Sequence, residues 1–474
     1  MALQKKRTVA CDPRLASRVA SSFRDPSGFV FKDQGVLYRQ VNRCYEEAFR
    51  VLDESGLYNS LVSEGLLIPH VQVPVENGMD DQAVAVLRPE PISFISYPYE
   101  WCFSQLRDAA LLTLDIQLRS LDHGMSLKDA SAYNVQFHEG RPVFIDTLSF
   151  DIYREGRPWV GYRQFCEHFL APLALMSFVD PLASRMMSVY IDGIPLTMAS
   201  KMLPGRTRAN LGLLIHLHLH AKTQSRVAKT VASAPQSGMS KTALKGLIDN
   251  LRSTVAGLRY SPTGTVWADY IDETNYTSEA QKHKEQLVSE FIDGINPKPE
   301  VVWDLGANTG VYSRIASSKE IRTIAWDKDP AAVEKSYLAT RAAPDPFLLP
   351  LIQDLTNPSP SLGWAGCERD SLAGRGRADA VMALALVHHL AIGNNVPFGD
   401  IAAYFSSLGE WLVVEFVPKE DTQVQRLLHS RDLDYLCYDQ DTFEQDFSER
   451  FDLVRKEPIR ETSRVLYLYR GRRT

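Results

Sequence analysis

Two kinds of periodicity divide the chain. Over residues 105–121 apolar side chains return every three or four positions, at Leu106, Ala110, Leu114, Leu118 and Leu121, which predicts an amphipathic helix. Beyond residue 300 the pattern changes to short apolar runs, at 301–303, 323–326, 349–353, 380–386 and 411–416, separated by segments of helical length. Runs of this kind suit parallel strands buried on both faces, and their alternation with helices predicts an α/β sheet. The final stretches, 451–454 and 464–469, alternate about a polar turn and read as a hairpin. Near the other end, 28–41 reads as a hairpin about Lys32-Asp33-Gln34-Gly35, followed by a helix over 41–54. Further helices are predicted at 211–221, 242–258 and 278–292, and the segment 223–240, poor in large apolar residues, reads as a linker.

Acids punctuate the ends of the later runs. Asp304 follows the first and leads into a turn built on Gly306, Asn308 and Gly310, with a helix expected from 311. A glycine lets backbone approach a ligand closely, and a helix start offers unpaired N–H groups to an anion. The spacing is Asp-x-Gly-x-x-x-Gly, and Asn308 stands where a dinucleotide fingerprint needs its second glycine, which argues against NAD. Asp304 would repel a phosphate but suits a ligand that carries an ammonium beside its carboxylate. The second run ends in Asp327, followed by Lys328, and the third in Asp354-Leu355. The fourth follows Asp379 and runs into Val387-His388-His389-Leu390.

Over roughly 280–474 this order resembles the class I S-adenosylmethionine (SAM) methyltransferases. The resemblance implies a Rossmann-like seven-stranded sheet closed by an antiparallel hairpin, with SAM as cofactor. Asp304, Gly306, Asn308 and Gly310 would then form the cofactor turn. Asp327 with Lys328 would meet the ribose, and Asp354 with Leu355 the adenine. His388 and His389 fall where that family places acceptor-facing groups, with a general base or a packing residue as the two readings. Glu415, at the end of the fifth run, would orient a histidine or contact the acceptor, or simply be a strand-end acid. Upstream, Trp267, Tyr270 and Tyr276, with Lys282 and Lys284 on the following helix, make a candidate lid.

The front of the chain carries another spacing. Asp129 precedes Asn134 by five residues, and Asp146 follows Asn134 by twelve at the end of an apolar run. This resembles the catalytic loop and metal-binding segment of protein-kinase-like and aminoglycoside-phosphotransferase-like folds, which implies that Asp129 orients a hydroxyl while Asn134 and Asp146 hold Mg²⁺. No glycine-rich phosphate loop and no Val-Ala-Ile-Lys strand accompany it, and Thr147-Leu148 replaces Phe-Gly. A degenerate, pseudokinase-like α+β domain is the expectation.

Composition narrows the partners. A net charge of −6 over 474 residues gives no general pull toward nucleic acid, and no apolar run reaches membrane-spanning length. Six scattered cysteines, without a Cys-x-x-Cys pair, suggest reduced thiols and a cytoplasmic protein. His168, His216, His218 and His220 lack an intervening acid and a recognisable third ligand, so no metal is expected and they read as surface or capping residues. The expected organisation is a kinase-like domain at 1–195, a helical linker at 196–262 and a methyltransferase domain at 263–474. Ser55-Gly56-Leu57-Tyr58, the Asp304 turn, Val387–Leu390, Glu415-Phe416-Val417-Pro418-Lys419 and Arg464-Val465-Leu466-Tyr467 together resemble a bacterial family of SAM-dependent methyltransferases that includes the NoeA-like nodulation (host-specificity) proteins. That resemblance implies methyl transfer to an O or N acceptor on a small molecule, glycan or protein. A non-catalytic SAM-binding scaffold and a bifunctional kinase–methyltransferase are the alternatives.

Overall fold

The computed structural model describes residues 17–222, 238–262, 277–428 and 438–472. Trp267, Tyr270 and Tyr276 of the expected lid, and most of the 223–240 segment, lie outside them.

The front half opens with five strands, β1 (Ser17–Arg18), β2 (Gly28–Asp33), β3 (Val36–Asn42), β4 (His70–Val73) and β5 (Ala83–Pro89), in an antiparallel sheet of order β1-β2-β3-β5-β4. The expected hairpin is β2–β3, and Gln34 and Gly35 both take positive φ at its tip, which matches the right-handed twist of the strands. The helices Glu46–Glu54 and Leu57–Ser63 connect β3 to β4, the first starting later than the expected 41 because Val41 and Asn42 belong to β3. Next comes Phe103–Asp122, then β6 (Met125–Leu127), β7 (Val135–His138), β8 (Arg141–Phe144) and β9 (Phe150–Ile152), with β6 paired to β9 and β7 to β8.

Phe103–Asp122 is buried well beyond its predicted stripe, with Ala109, Leu112, Thr113, Ile116 and Gln117 all inside. One cause is the helix Lys241–Gly257, which packs along it through Leu244, Ile248, Leu251 and Val255, while β6, β8 and the helices Ala171–Phe178 and Pro330–Ala342 cover other sides. The histidines of 211–221 also depart from expectation. His216 and His218 are buried, and each uses both ring nitrogens: His216 with Tyr162 (2.7 Å) and Asn250 (2.8 Å), His218 with Ser200 (2.8 Å) and Thr207 (3.0 Å). They tie helices together, which a leucine-rich surface reading of the segment could not anticipate.

The back half is a mixed seven-stranded sheet. Its strands are β10 (Val301–Leu305), β11 (Arg322–Asp327), β12 (Leu348–Ile352), β13 (Ala378–Ala383), β14 (Gly409–Phe416), β15 (Phe451–Pro458) and β16 (Val465–Gly471), in the order β12-β11-β10-β13-β14-β16-β15. The first five in that order are parallel, while β16 runs antiparallel to β14 and to β15. Edge strand β15 exposes Arg455, Lys456 and Glu457 in part and carries a bulge between Leu453 and Arg455, two features that discourage pairing with another chain. Strand order reverses between β10 and β13, and a crevice opens there at the carboxyl ends.

The halves share one apolar core. Phe94 meets the rings of Trp303 and Trp326 edge-on at 5.9 and 5.6 Å, and Asp108 accepts from Tyr337 (2.9 Å) and Arg341 (3.0 Å). A buried Glu100–Arg375 ion pair crosses the same seam. Among the described residues no helix is long and apolar enough to cross a membrane.

Candidate active site

The turn after β10 depends on backbone geometry. Gly306, Asn308 and Gly310 have φ of 74°, 51° and 80°. The N–H groups of Gly306 and Ala307 donate to the Trp326 carbonyl (2.8 and 2.9 Å), so the turn is fastened to β11. A Cβ on Gly306 would stand 3.1 Å from Leu386 Cδ1, and one on Gly310 would stand 2.8 Å from Ser336 Oγ. The helix expected from 311 begins at Ser313 and ends at Ser317. It is too short to supply the dipole the sequence suggested, and side chains carry the local electrostatics instead.

Asp304, Asp327 and Asp354 converge on one cavity of about 200 Å³, whose wall also includes Gly306, Asn308, Lys328, Leu355 and His389. Gly310 supports the turn from behind that wall. Asp304 is 2% exposed and accepts from Ser313 Oγ at 2.6 Å. Burial pushes its carboxyl up to about 7, against the opposing effects of Ser313 and Lys284. Asp327 is pushed up to about 6 by burial, even though its two oxygens accept the N–H groups of Asp329 and Asn308, both at 2.8 Å. Asp354 accepts from the N–H (2.9 Å) and hydroxyl (2.6 Å) of Thr356. It caps a turn rather than a helix.

The histidines divide. His389 lines the cavity, and burial with nearby Lys328 and Arg464 brings its imidazole down to about 4, leaving it neutral at pH 7. His388 lies behind it with ring centres 4.0 Å apart, 1% exposed, and neither ring nitrogen has a hydrogen-bond partner among the described residues.

Glu415 departs from the sequence reading. It is fully buried and ion-paired with Lys284 (2.6 Å) and Arg464 (3.2 Å), so its charge is already engaged rather than offered to an acceptor or a histidine. Lys284 and Arg464 themselves reach the cavity wall, with Gln281, Tyr312 and Gln353. Lys284 had a legible signal: it lies on the same buried face of Ser278–Asp293 as Ala280, Leu287, Val288 and Phe291, a charge within an apolar stripe. Arg464 had none, since its role depends on how the terminal hairpin folds back.

In the front half, Asp129, Asn134 and Asp146 form a second cluster. Asp129 accepts from the Ser131 N–H (2.9 Å), and burial raises its carboxyl with Asp146 adding repulsion, against hydrogen bonds from Ser131, Asn134 and Gln164. Asn134 donates to Ser149 Oγ (3.1 Å). Asp146 holds Arg39 of β3 on one oxygen and the Ser149 hydroxyl on the other. Burial favours its protonated form, yet Arg39 and these donors keep the carboxyl below its ordinary range.

Fold and cavity define an α/β protein with a cavity at the switch point of a mixed sheet, joined to an antiparallel α+β half. The chain belongs to the NoeA family: it is 37% identical over 469 residues, 97% of each chain, to nodulation protein NoeA of Rhizobium meliloti (strain 1021). No family model matches it. Among solved structures it is similar to the bifunctional kinase-methyltransferase WbdD (13% identity, 46% of this chain and 45% of that one, TM-score 0.30). It is also similar to N-methyltransferase NodS from Bradyrhizobium japonicum WM9 (12%, 41% and 97%, TM-score 0.30). A third is magnesium protoporphyrin IX methyltransferase (ChlM) from Synechocystis PCC 6803 with bound SAH (17%, 44% and 90%, TM-score 0.29).

Proposed function

We propose that the protein is a cytoplasmic SAM-dependent methyltransferase acting on an oxygen or nitrogen of a small molecule, glycan or protein. The observation that carries this reading is the convergence of Asp304, Asp327 and Asp354, from three adjacent parallel strands, on one cavity. The residues fit an adenosyl amino acid. Gly306 leaves room where a side chain would crowd Leu386, Asp304 offers an anion to the ammonium of a zwitterionic tail, and Asp327 keeps acceptor capacity for ribose hydroxyls after its two backbone bonds. Asp354 and Leu355 would then hold the adenine.

When bound, SAM supplies a methyl group already activated on a sulfonium. The protein's own work is alignment, exclusion of water and, for a hydroxyl acceptor, removal of one proton. His389 is the wall residue placed for that last step: its imidazole is unprotonated at pH 7, and the burial that keeps it neutral also makes it a weaker base than a free histidine. His388, packed behind it, holds the ring in place.

The front half is read as a kinase-like domain without phosphotransfer that presents the acceptor. Arg39 on Asp146 supports this, since a guanidinium stands where the resemblance requires a metal ion. Isothermal titration of SAM into the full chain tests the main reading. Saturable binding that is lost in Asp327→Ala is expected, and absence of binding by the unaltered protein would remove it. Transfer of label from methyl-labelled SAM to an extract component separates an enzyme from a non-catalytic SAM-binding scaffold.

A further inference from the structure

The seam between the halves reaches the cavity. Glu100, from the front half, forms a two-pronged pair with Arg375, Nη1 to Oε2 at 2.8 Å and Nη2 to Oε1 at 2.6 Å, and the side chains are 1% and 2% exposed. Ser359 Oγ lies 2.8 Å from Glu100 Oε1 and 2.9 Å from Gln353 Oε1. A hydroxyl has one proton, so Ser359 donates to one of these two oxygens at a time, and both contacts are satisfied together only with the Gln353 amide turned over so that its NH₂ donates to Ser359. Gln353 is itself a wall residue, directly before Asp354 and Leu355. Arg375 also lies over the Trp326 ring at 5.6 Å, and the Trp326 carbonyl fastens Gly306 and Ala307. One ion pair is therefore linked to both loops beside the cavity, through Ser359 to one and through Trp326 to the other.

We propose that Glu100 is a positioning residue: through Ser359 it sets Gln353 and the loop that follows, so the affinity of the back half for the nucleoside part of its ligand depends on the front half. This inference rests on the SAM-binding reading above. Glu100 also accepts the Tyr97 N–H at 3.0 Å and neutralises buried Arg375, so its structural and positioning roles have to be separated by the test.

Removing Glu100 would strand a buried Arg375, and that variant could fail to fold, so the test falls on Ser359, which is half-buried. Titrations of SAM and of adenosine into full-length wild type, Ser359→Ala and Ser359→Thr are compared, with thermal unfolding of each. Loss of this hydrogen bond in Ser359→Ala should weaken SAM and adenosine by the same factor, about five-fold, with unfolding little changed. Ser359→Thr, which keeps the hydroxyl, should recover the affinity. If wild type binds SAM but Ser359→Ala binds both ligands as well as wild type, or if Ser359→Thr is as weak as Ser359→Ala, the proposal is overturned while the methyltransferase reading stands. If wild type binds no SAM, both fall together.

Discussion

Lys284 Nζ lies 2.6 Å from Glu415 Oε2, with the two side chains 3% and 0% exposed. Arg464 reaches the other oxygen of Glu415 and also pairs with Asp421 at 2.7 Å, so one chain of charges joins the helix Ser278–Asp293, β14 and the terminal hairpin. Burial lowers the Lys284 amine, and Glu415 opposes that shift. Glu415→Ala would leave two buried cations beside each other. The expected loss is about 3–5 kcal/mol of unfolding free energy, as for other buried pairs broken on one side. Urea unfolding measures it, and Lys284→Met combined with Glu415→Leu should cost clearly less than the two single changes added together.

Asp304 makes both stability and binding depend on pH. Its carboxyl rises from the usual 3.8 to about 7 in the fold, so the folded protein holds this proton more tightly than the unfolded chain. The resulting stability is complete below the unfolded value and is lost as pH rises through about 7. Binding of an ammonium needs the opposite, ionised form. SAM affinity is therefore expected to increase between about pH 6 and pH 8 while the ligand-free protein becomes less stable. Asp304→Asn should flatten the stability profile and lose most of the affinity. Calorimetric titration and thermal unfolding across that range check the two halves of the prediction.

His389 and His388 should differ on substitution, although they are neighbours in sequence. His389 faces the cavity and is neutral, so His389→Ala should lower kcat by roughly 10²–10⁴ if the acceptor is a hydroxyl, with little change in KM for SAM. His388 packs against His389 and is not one of the residues that line the cavity, and His388→Gln should act mainly on stability. Steady-state kinetics with an identified acceptor distinguishes them.

The strands of the back half were legible because buried parallel strands leave continuous apolar runs that only acids and glycines interrupt. The same alternation located Asp304, Asp327 and Asp354, since strand ends and cavity wall coincide at a switch point. Glu415 could not be placed that way. A strand-end acid reads the same whether it faces a ligand or a buried lysine, and its partners Lys284 and Arg464 are distant in sequence. Arg39 was hidden for a similar reason, because pairing it with Asp146 requires β3 to meet a turn more than a hundred residues later. The seam at Glu100 was equally invisible, since neither half's own pattern contains the other.

Gly306→Ala tests the turn separately from its charges. At φ 74° an alanine is strained by about 1–2 kcal/mol, and its Cβ would also press on Leu386. Leu386 can yield at its far end, so the protein should still fold, with stability lowered by about that amount. SAM affinity should fall further than stability does, because both the turn and Leu386 border the cavity. Titration of the folded variant, set beside its denaturation midpoint, separates the two effects.

The front half should neither bind Mg²⁺-ATP nor transfer phosphate. A metal ion needs a carboxylate with oxygens open to it, and Asp146 has one engaged by Arg39 and the Leu148 N–H and the other by Ser149. Mg²⁺ would have to displace a guanidinium or lie against it, and the desolvated cations would repel each other. Asp146→Asn should therefore leave SAM affinity within about two-fold of wild type while lowering stability, since it removes a charge from a largely buried Arg39 pair. Hydrogen exchange with and without ATP and Mg²⁺ should be identical across residues 127–150. Nucleotide-dependent protection there, abolished by Asp146→Asn, would return the front half to the phosphotransferases, because it would mean that Arg39 leaves Asp146 when the metal arrives.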